Sequence, residues 1–318
     1  MRVLVTGGAG FIGANLCREL AARPGIGKVI ALDDLSTGRA ENLDGSGTEL
    51  IQASILDTGV LLDVVGDADA VVHLAARASV PRSLTSPVAS HDANATGTIN
   101  VLEACRRSDT HVVAASSSSV YGAGPDLPKH EDLPTRPLSP YGASKLAAES
   151  YALAYHSSFG LPVLALRFFN VYGPLQPAGH AYAAVIPAFI EAALRGQPLL
   201  VHGDGRQTRD FTFVGTVVGV LADAVRRRVT SPEPVNLAFG TRVSVLDLTC
   251  RLSAVLGQPI DVRHVQPRAG DVRDSQAADG RLRVLFPGMA PVPLDTGLER
   301  TVGWFREQPA YADGAAAR

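Results

Sequence analysis

Residues 3–13 read VLVTGGAGFIG. A β-prone run stops in glycines, and a helical pattern follows at once, with Ile12, Leu16 and Leu20 recurring four residues apart. Gly7, Gly10 and Gly13 therefore fall between a first strand and a first helix. Their spacing is GxxGxxG rather than the commoner GxGxxG. Glycine permits the tight turn and lets the backbone approach a pyrophosphate at the helix N-terminus. No other stretch of the chain constrains the fold so closely, because it sets a strand, a turn and a helix in fixed order.

The rest of the first half alternates. Short β-rich runs are expected at Val3–Thr6, Lys28–Leu32, Glu49–Ala53, Ala70–Leu74, His111–Ser116 and Pro162–Phe168. Helical patterns lie between several of them, such as the face formed by Ile99, Leu102 and Cys105. Such alternation predicts an α/β fold, a Rossmann-like doubly wound parallel sheet with helices on both sides. After Phe169 the pattern loosens into Pro- and Gly-rich loops. Helices are expected near Ala184–Arg195, Gly215–Arg228, Val245–Leu256 and Asp295–Arg306, in a smaller α/β substrate-binding lobe. The expected division is 1–172 for the dinucleotide-binding part, rejoined by about 214–240 through a strand near Val235–Ala238, and 173–318 for the lobe. The tail after Gln308 is expected to fray.

Of the 318 residues, 46% are hydrophobic and 19% charged, which supplies a core and argues against disorder. The formal net charge of −2 gives no global field for nucleic acid or an acidic membrane. Arg226–Arg228 reads as a solvated helix end. Cys17, Cys105 and Cys250 are few, odd in number and far apart, as in half-buried thiols of a reduced, cytoplasmic protein. The eight histidines form no ligand-spaced cluster, so no metal is expected. No membrane span or secretory signal is expected either. Only three basic residues are lysine, Lys28, Lys129 and Lys145, so a retained lysine hints at a need for a compact charge.

Two further features carry chemistry. Asp33 ends the second strand twenty residues after Gly13, where a carboxylate meets an adenosine ribose and repels a 2′-phosphate. That favours NAD, with Asp34 able to share the role. Ser139-Pro140 begins a helix and Gly160 ends it, and within it Tyr141 and Lys145 stand four apart on one face. A lysine near the phenol is expected to lower its pKa from about 10 towards neutrality and make it a general base. Between them lies ASSSSVYG, residues 115–122, a strand stopped by four hydroxyls. Serine ends regular structure, and here it offers a hydroxyl where the sheet opens onto a ligand.

Together these residues resemble the extended short-chain dehydrogenases/reductases, in their nucleotide-sugar epimerase/dehydratase branch. The likeness runs over nearly the whole chain: TGGAGFIG, LDDLSTG, HLAA (73–76), SVPRS (79–83), SSSSVYG, YGASK, RFFNVYGP (167–174), YAAVIP (182–187), GDGRQTRDF (203–211) and PRAGDVRDS (267–275). The resemblance implies that Tyr141 is the base, Lys145 its activator and a holder of the nicotinamide ribose, and Ser117 the catalytic hydroxyl. It implies NAD contacts from Gly7, Gly10, Phe11, Ile12, Gly13, Asp33, Asp34, Ser36, Thr37, Gly38, Ser54, Ile55, Leu74, Ala75, Ala76, Asn94 and Phe168. For the sugar nucleotide it implies Ser79, Arg82, Ser119, Asn170, Ala184, Val185, Gly203, Gln207, Arg209, Phe211, Arg268, Asp271 and Ser275, with Arg268 and Asp271 anchoring the diphosphate and uridine ribose. Ser54, Phe168 and Leu175 depart from the family pattern, which carries an aspartate, a tyrosine and often an arginine there.

Dehydratases and decarboxylases of the branch carry acids before the VYG; this chain has Ser118 and Ser119. A base and a hydroxyl without a second acid imply NAD-dependent 4-epimerisation of a UDP-sugar through a transient 4-keto sugar. Asn170 followed by Leu175-Gln176-Pro177 disfavours a uronate. Ser275, where relatives confined to plain hexoses carry tyrosine, leaves room for an N-acetyl group, so UDP-GlcNAc/UDP-GalNAc leads and UDP-Glc/UDP-Gal follows. A UDP-GlcA 4-epimerase or NDP-sugar dehydratase is the alternative, and a non-catalytic dinucleotide-sensing regulator a remoter one. Relatives pair through helices matching residues near Ala95–Arg107 and Gly142–Ser158, which implies a homodimer.

Overall fold

The structure is a computed structural model that describes residues 1–179, 183–267 and 272–312. Six strands of the first half, β1 (Arg2–Thr6), β2 (Lys28–Asp33), β3 (Glu49–Gln52), β4 (Ala70–His73), β5 (His111–Ser117) and β6 (Val163–Phe168), lie parallel in the order 3-2-1-4-5-6. The chain later returns to add a seventh strand on β6, pairing Val235 with Leu166. Strand order reverses between β1 and β4, the place where a doubly wound sheet opens a crevice at its carboxyl ends.

The strands are apolar on both faces because both are covered. Val3 and Val5 join one cluster with α1 (Phe11–Ala21), whereas Leu4 joins the opposite one. That opposite layer holds α2 (Thr58–Gly66), α5 (Gly97–Ser108) and α6 (Pro140–Phe159), contributing Leu61, Leu102 and Ala152. Two short helices, α3 (Val80–Thr85) and α4 (Pro87–His91), run into a π-turn at Asp92–Thr96 before α5. Ser139 Oγ caps α6 by accepting from Gly142 N at 3.1 Å, and Gly160 ends it at φ 72°. Both ends agree with the sequence.

The second half builds on the sheet rather than beside it. β7 (Asn170–Tyr172) follows β6, then α7 (Val185–Leu194), β8 (Leu199–His202), β9 (Thr208–Arg209) and β10 (Phe211–Phe213). α8 (Val214–Arg227) packs on α1, β11 (Val235–Leu237) is the seventh sheet strand, and β12 (Val243–Ser244) precedes α9 (Val245–Leu256). β13 (Val262–Val265), α10 (Gly280–Leu285), α11 (Leu294–Glu307) and α12 (Pro309–Ala312) complete the described chain. Three two-stranded pairs, β7–β10, β9–β12 and β8–β13, were not legible in the sequence, because two- to four-residue strands carry almost no period. One apolar cluster runs from Val3 and Leu20 through Tyr172 and Phe213 to Phe305, so the core continues between the halves.

One expectation needs correction. Cys17 and Cys105 are fully buried rather than half-buried, and burial pushes the Cys17 thiol up to about 12 and Cys105 up as well; Cys250 is exposed. Of the tail expected to fray after Gln308, Pro309–Ala312 form α12. Tyr311 packs on Phe305 at 5.6 Å and its hydroxyl donates to Glu191 at 3.1 Å, which docks α12; residues 313–318 lie outside the described residues. No helix among the described residues is long and apolar enough to cross a membrane, and no group of three His, Cys, Asp or Glu there could hold a metal ion.

Candidate functional site

The glycine loop sits at the reversal point and is packed to the limit of backbone contact. An added Cβ would lie 2.7 Å from Ala75 N at Gly7, 2.5 Å from the Ala31 methyl at Gly8, and 2.1 Å from Gly7 O at Gly13. Gly7 is also at φ 70°. Gly10 is different: its nearest neighbour for a Cβ is Gly7 O at 3.2 Å, its φ is −76°, and it caps α1 with no side-chain bond. The tight glycines shape the turn, and the open one leaves a bare backbone at a helix N-terminus, which fits a pyrophosphate. Gly8 belongs to this set and was missed because the motif spacing passes over it.

Asp33, buried at the end of β2, holds that loop. Its Oδ2 accepts from Ala9 N and its Oδ1 from Leu35 N, both at 2.9 Å. Burial pushes its pKa up and these amides pull it down. Asp34, Ser36 and Thr37 are exposed beside it, and Gly38 packs on Ala9. Leu74 N and Ala75 N both bond Thr6, bringing the end of β4, just before Ala76, against β1. Ser54 Oγ accepts from Leu56 N, while Ile55 is buried against Gly97. Phe11, Ile12 and Phe168 join the core around α1. Asn94 is consumed internally: Oδ1 accepts from Arg77 N at 2.7 Å and Nδ2 donates to Ser144 Oγ at 2.9 Å, tying the loop after β4 to α6.

The four serines divide their work. Ser116 Oγ donates to Glu149 at 2.6 Å. Ser117 Oγ accepts from Ser119 N at 3.1 Å, turning the chain into a short helical turn at Ser118–Tyr121. Gly142 is required here, since a Cβ would come 2.9 Å from Ser119 O. The close approach sets Tyr141 near Ser117, whose hydroxyl lowers the pKa of the phenol. Burial is the larger effect, however, and raises the phenol above its usual value. The expected lysine-driven lowering is therefore overturned: Lys145 Nζ donates to Ala115 O instead, and its own pKa is pulled by burial down to about 8, against the carboxylate of Glu149. His73, fixed between Thr6 and Thr98 at 2.7 and 3.0 Å, is driven by burial to about 3 and stays neutral.

The residues expected to meet the sugar nucleotide lie on or beside short strands. β7 pairs with β10 in parallel, which places Asn170 against Phe211. Arg209 Nη1 donates to the carbonyls of Thr208 and Arg273 at 2.8 and 3.1 Å, and Ser275 N bonds Thr208 O at 3.1 Å. Gln207 reaches His202 O at 2.8 Å, and Gly203 turns at φ 71°. Ala184 caps α7 and Val185 begins it. Ser79 caps α3 by accepting from Arg82 N. Arg268 and Asp271 lie outside the described residues. Asp210, between Arg209 and Phe211, was missed. It is fully buried and accepts from Gly240 N, Thr241 Oγ1 and Ala277 N at 3.1, 2.7 and 3.0 Å, so it ties β9–β10 to the segment bearing Ser275. A buried carboxylate with this role has no sequence signature beyond its place in the RDF triplet.

Comparison with known proteins places this geometry. A model of the NAD dependent epimerase/dehydratase family matches residues 3–238. The chain is 38% identical over 317 residues to UDP-glucose 4-epimerase of Mycolicibacterium smegmatis, covering 97% of this chain and 99% of that one. Among solved structures it resembles UDP-N-acetylglucosamine 4-epimerase of Methanobrevibacter ruminantium in complex with UDP-N-acetylmuramic acid, at TM-score 0.90, 35% identity and coverage of 96% and 97%. It also resembles the UDP-glucose 4-epimerase of Thermus thermophilus in complex with NAD, at TM-score 0.86, 35% identity and coverage of 96% and 99%.

Proposed function

The chain belongs to the NAD dependent epimerase/dehydratase family, with NAD as its cofactor, and from that premise we propose that it inverts the C4 hydroxyl of a UDP-sugar. The observation that carries the reading is Tyr141 set near Ser117 at a strand end that continues Ser118-Ser119, with no carboxylate there to drive elimination. NAD, when bound along the glycine loop, supplies reversible oxidation and reduction at C4. Tyr141 takes the C4 hydroxyl proton and returns it, Ser117 holds the sugar oxygen in line, and Lys145 brings a positive charge to the base of the pocket. Gly7, Gly8 and Gly13 shape the turn that receives the pyrophosphate, and Gly10 leaves it room. Asn170, Arg209, Phe211, Arg268 and Asp271 hold the nucleotide while the sugar turns over.

UDP-GlcNAc/UDP-GalNAc is the proposed pair, with UDP-Glc/UDP-Gal accepted, because Ser275 is small and its segment is pinned by Asp274 on Thr208 at 2.5 Å. Incubation with UDP-GlcNAc, UDP-Glc and UDP-GlcA, read by NMR, is expected to give 4-epimers of the first two and none of the uronate, without added reductant. Stoichiometric NADH, or a product lacking water, would replace this reading with a dehydrogenase or a dehydratase. Ser275→Tyr is expected to lower kcat/KM on UDP-GlcNAc at least tenfold relative to UDP-Glc, since overpacking strikes the bulkier sugar. An unmoved ratio removes Ser275 as the gate.

A homodimer through α5 and α6 is proposed as well. Tyr151 and Phe159 on α6 and Val88 on the adjoining α4 are exposed apolar side chains on that side of the sheet. Light scattering at micromolar concentration is expected to give twice the chain mass; a monomer alone counts against it.

A further inference from the structure

Glu149 lies one turn beyond Lys145 and two beyond Tyr141 on α6, and is buried. Its carboxylate is fully engaged. Oε1 accepts from Arg167 Nη2 at 2.7 Å; Oε2 accepts from Arg167 Nε at 2.9 Å and from Ser116 Oγ at 2.6 Å. Arg167, equally buried on β6, also donates to Glu131 O at 3.3 Å and lies 4.7 Å over the Tyr121 ring. The Tyr121 hydroxyl donates to Asn236 Oδ1 at 2.7 Å, and Asn236 in turn bonds Glu131, Lys129 and Ala278. A small void of about 10 Å³, room for one water, is lined by Glu149, Ser116, His73 and Thr98.

A buried ion pair is weak as a stabilising device, because desolvation offsets its attraction. What this one does is local. Ser116 is the residue before Ser117, so the Ser116–Glu149 bond fixes the end of β5 against the helix that carries Tyr141 and Lys145. We propose that Glu149 is a positioning residue for the reaction, setting through Ser116 where the Ser117 hydroxyl stands against the Tyr141 phenol and facing Lys145 with its charge. This rests on the epimerase reading for its chemistry. The charged and titratable groups around the carboxylate are Arg167 from β6, Lys145 from α6 itself and neutral His73 from β4. Glu149 is the group that holds the Lys145 pKa up against burial.

Ser116→Ala leaves the Glu149–Arg167 pair whole and is the primary test. It is expected to lower kcat about tenfold with KM unchanged, since a small misplacement of a reacting group is costly. Tyr141 is expected to titrate at higher pH, read as the tyrosinate absorbance that Ser116→Ala loses when Tyr141→Phe is added. Glu149→Gln, in protein that keeps wild-type circular dichroism, is expected to move the alkaline fall of kcat to lower pH, because Lys145 loses its carboxylate. A purely structural role would lower Tm in both variants and leave kcat, the pH profile and the tyrosine titration unchanged, and that result overturns the proposal. If Glu149→Gln does not fold, Ser116→Ala decides alone. The tyrosine titration needs no turnover, so a wild type that epimerises no UDP-sugar counts against the epimerase reading and leaves this one decided.

Discussion

Tyr141→Phe is expected to lower kcat by about 10²–10⁴ while leaving fold and NAD content intact. The ring stays, so its packing at the start of α6 is kept; only the hydroxyl that meets Ser117 is lost. Burial holds the phenol protonated more firmly than free tyrosine, so the wild-type rate is expected to climb with pH as the phenolate forms, until the alkaline fall that loss of the Lys145 charge brings. The variant should lose that rise along with its rate. Steady-state kinetics between pH 6 and 9, with circular dichroism as the control for folding, make the comparison. A variant at near wild-type rate would remove Tyr141 as the base.

The second large effect is expected at Gly13. An alanine methyl there would stand 2.1 Å from Gly7 O and 2.8 Å from Gly8 Cα, both backbone atoms that cannot rotate away. The loop must open, at a cost of about 1–3 kcal/mol as in overpacked cores, and its amides then no longer line up on a pyrophosphate. Gly13→Ala is expected to purify with under about a tenth of the wild-type NAD and a lowered Tm. Gly10→Ala separates the two causes. Its methyl meets only Gly7 O at 3.2 Å, so Tm should hold while NAD is lost. NAD released on denaturation and quantified by chromatography gives the measure. Gly13→Ala with a full complement of NAD would show that the loop does not carry the cofactor.

The strands and helices that build the sheet were legible because their signals are local: the glycine loop, Asp33 at a strand end, the Ser139 and Gly160 caps, and apolar runs buried on both faces. α9 matches its expected span of Val245–Leu256 for the same reason, with Ser244 and Asp247 forming a capping box. The short two-stranded pairs of the second half were not legible. β9 and β12 contribute two residues each, and their pairing depends on a return of the chain after some thirty residues. The docking of Tyr311 likewise depends on Glu191, 120 residues away.

Within the site the division is sharper. Spacing alone placed Tyr141 and Lys145 on one helical face and put a hydroxyl at the end of β5, since those are consequences of helix pitch and strand order. It could not say what each side chain would find there. The sequence suggested a lysine aimed at the phenol; packing turned the ammonium to Ala115 O and gave the phenol to Ser117. The resemblance had already singled out Ser117 as the catalytic hydroxyl, but only tertiary contacts showed Ser116 as an anchor for Glu149. Chain order and periodicity therefore determined the scaffold and the position of the reactive groups along it. Protonation and hydrogen-bond partners waited on the fold, because burial and charge act through space between residues such as Ser116, Glu149 and Arg167 that no local pattern connects.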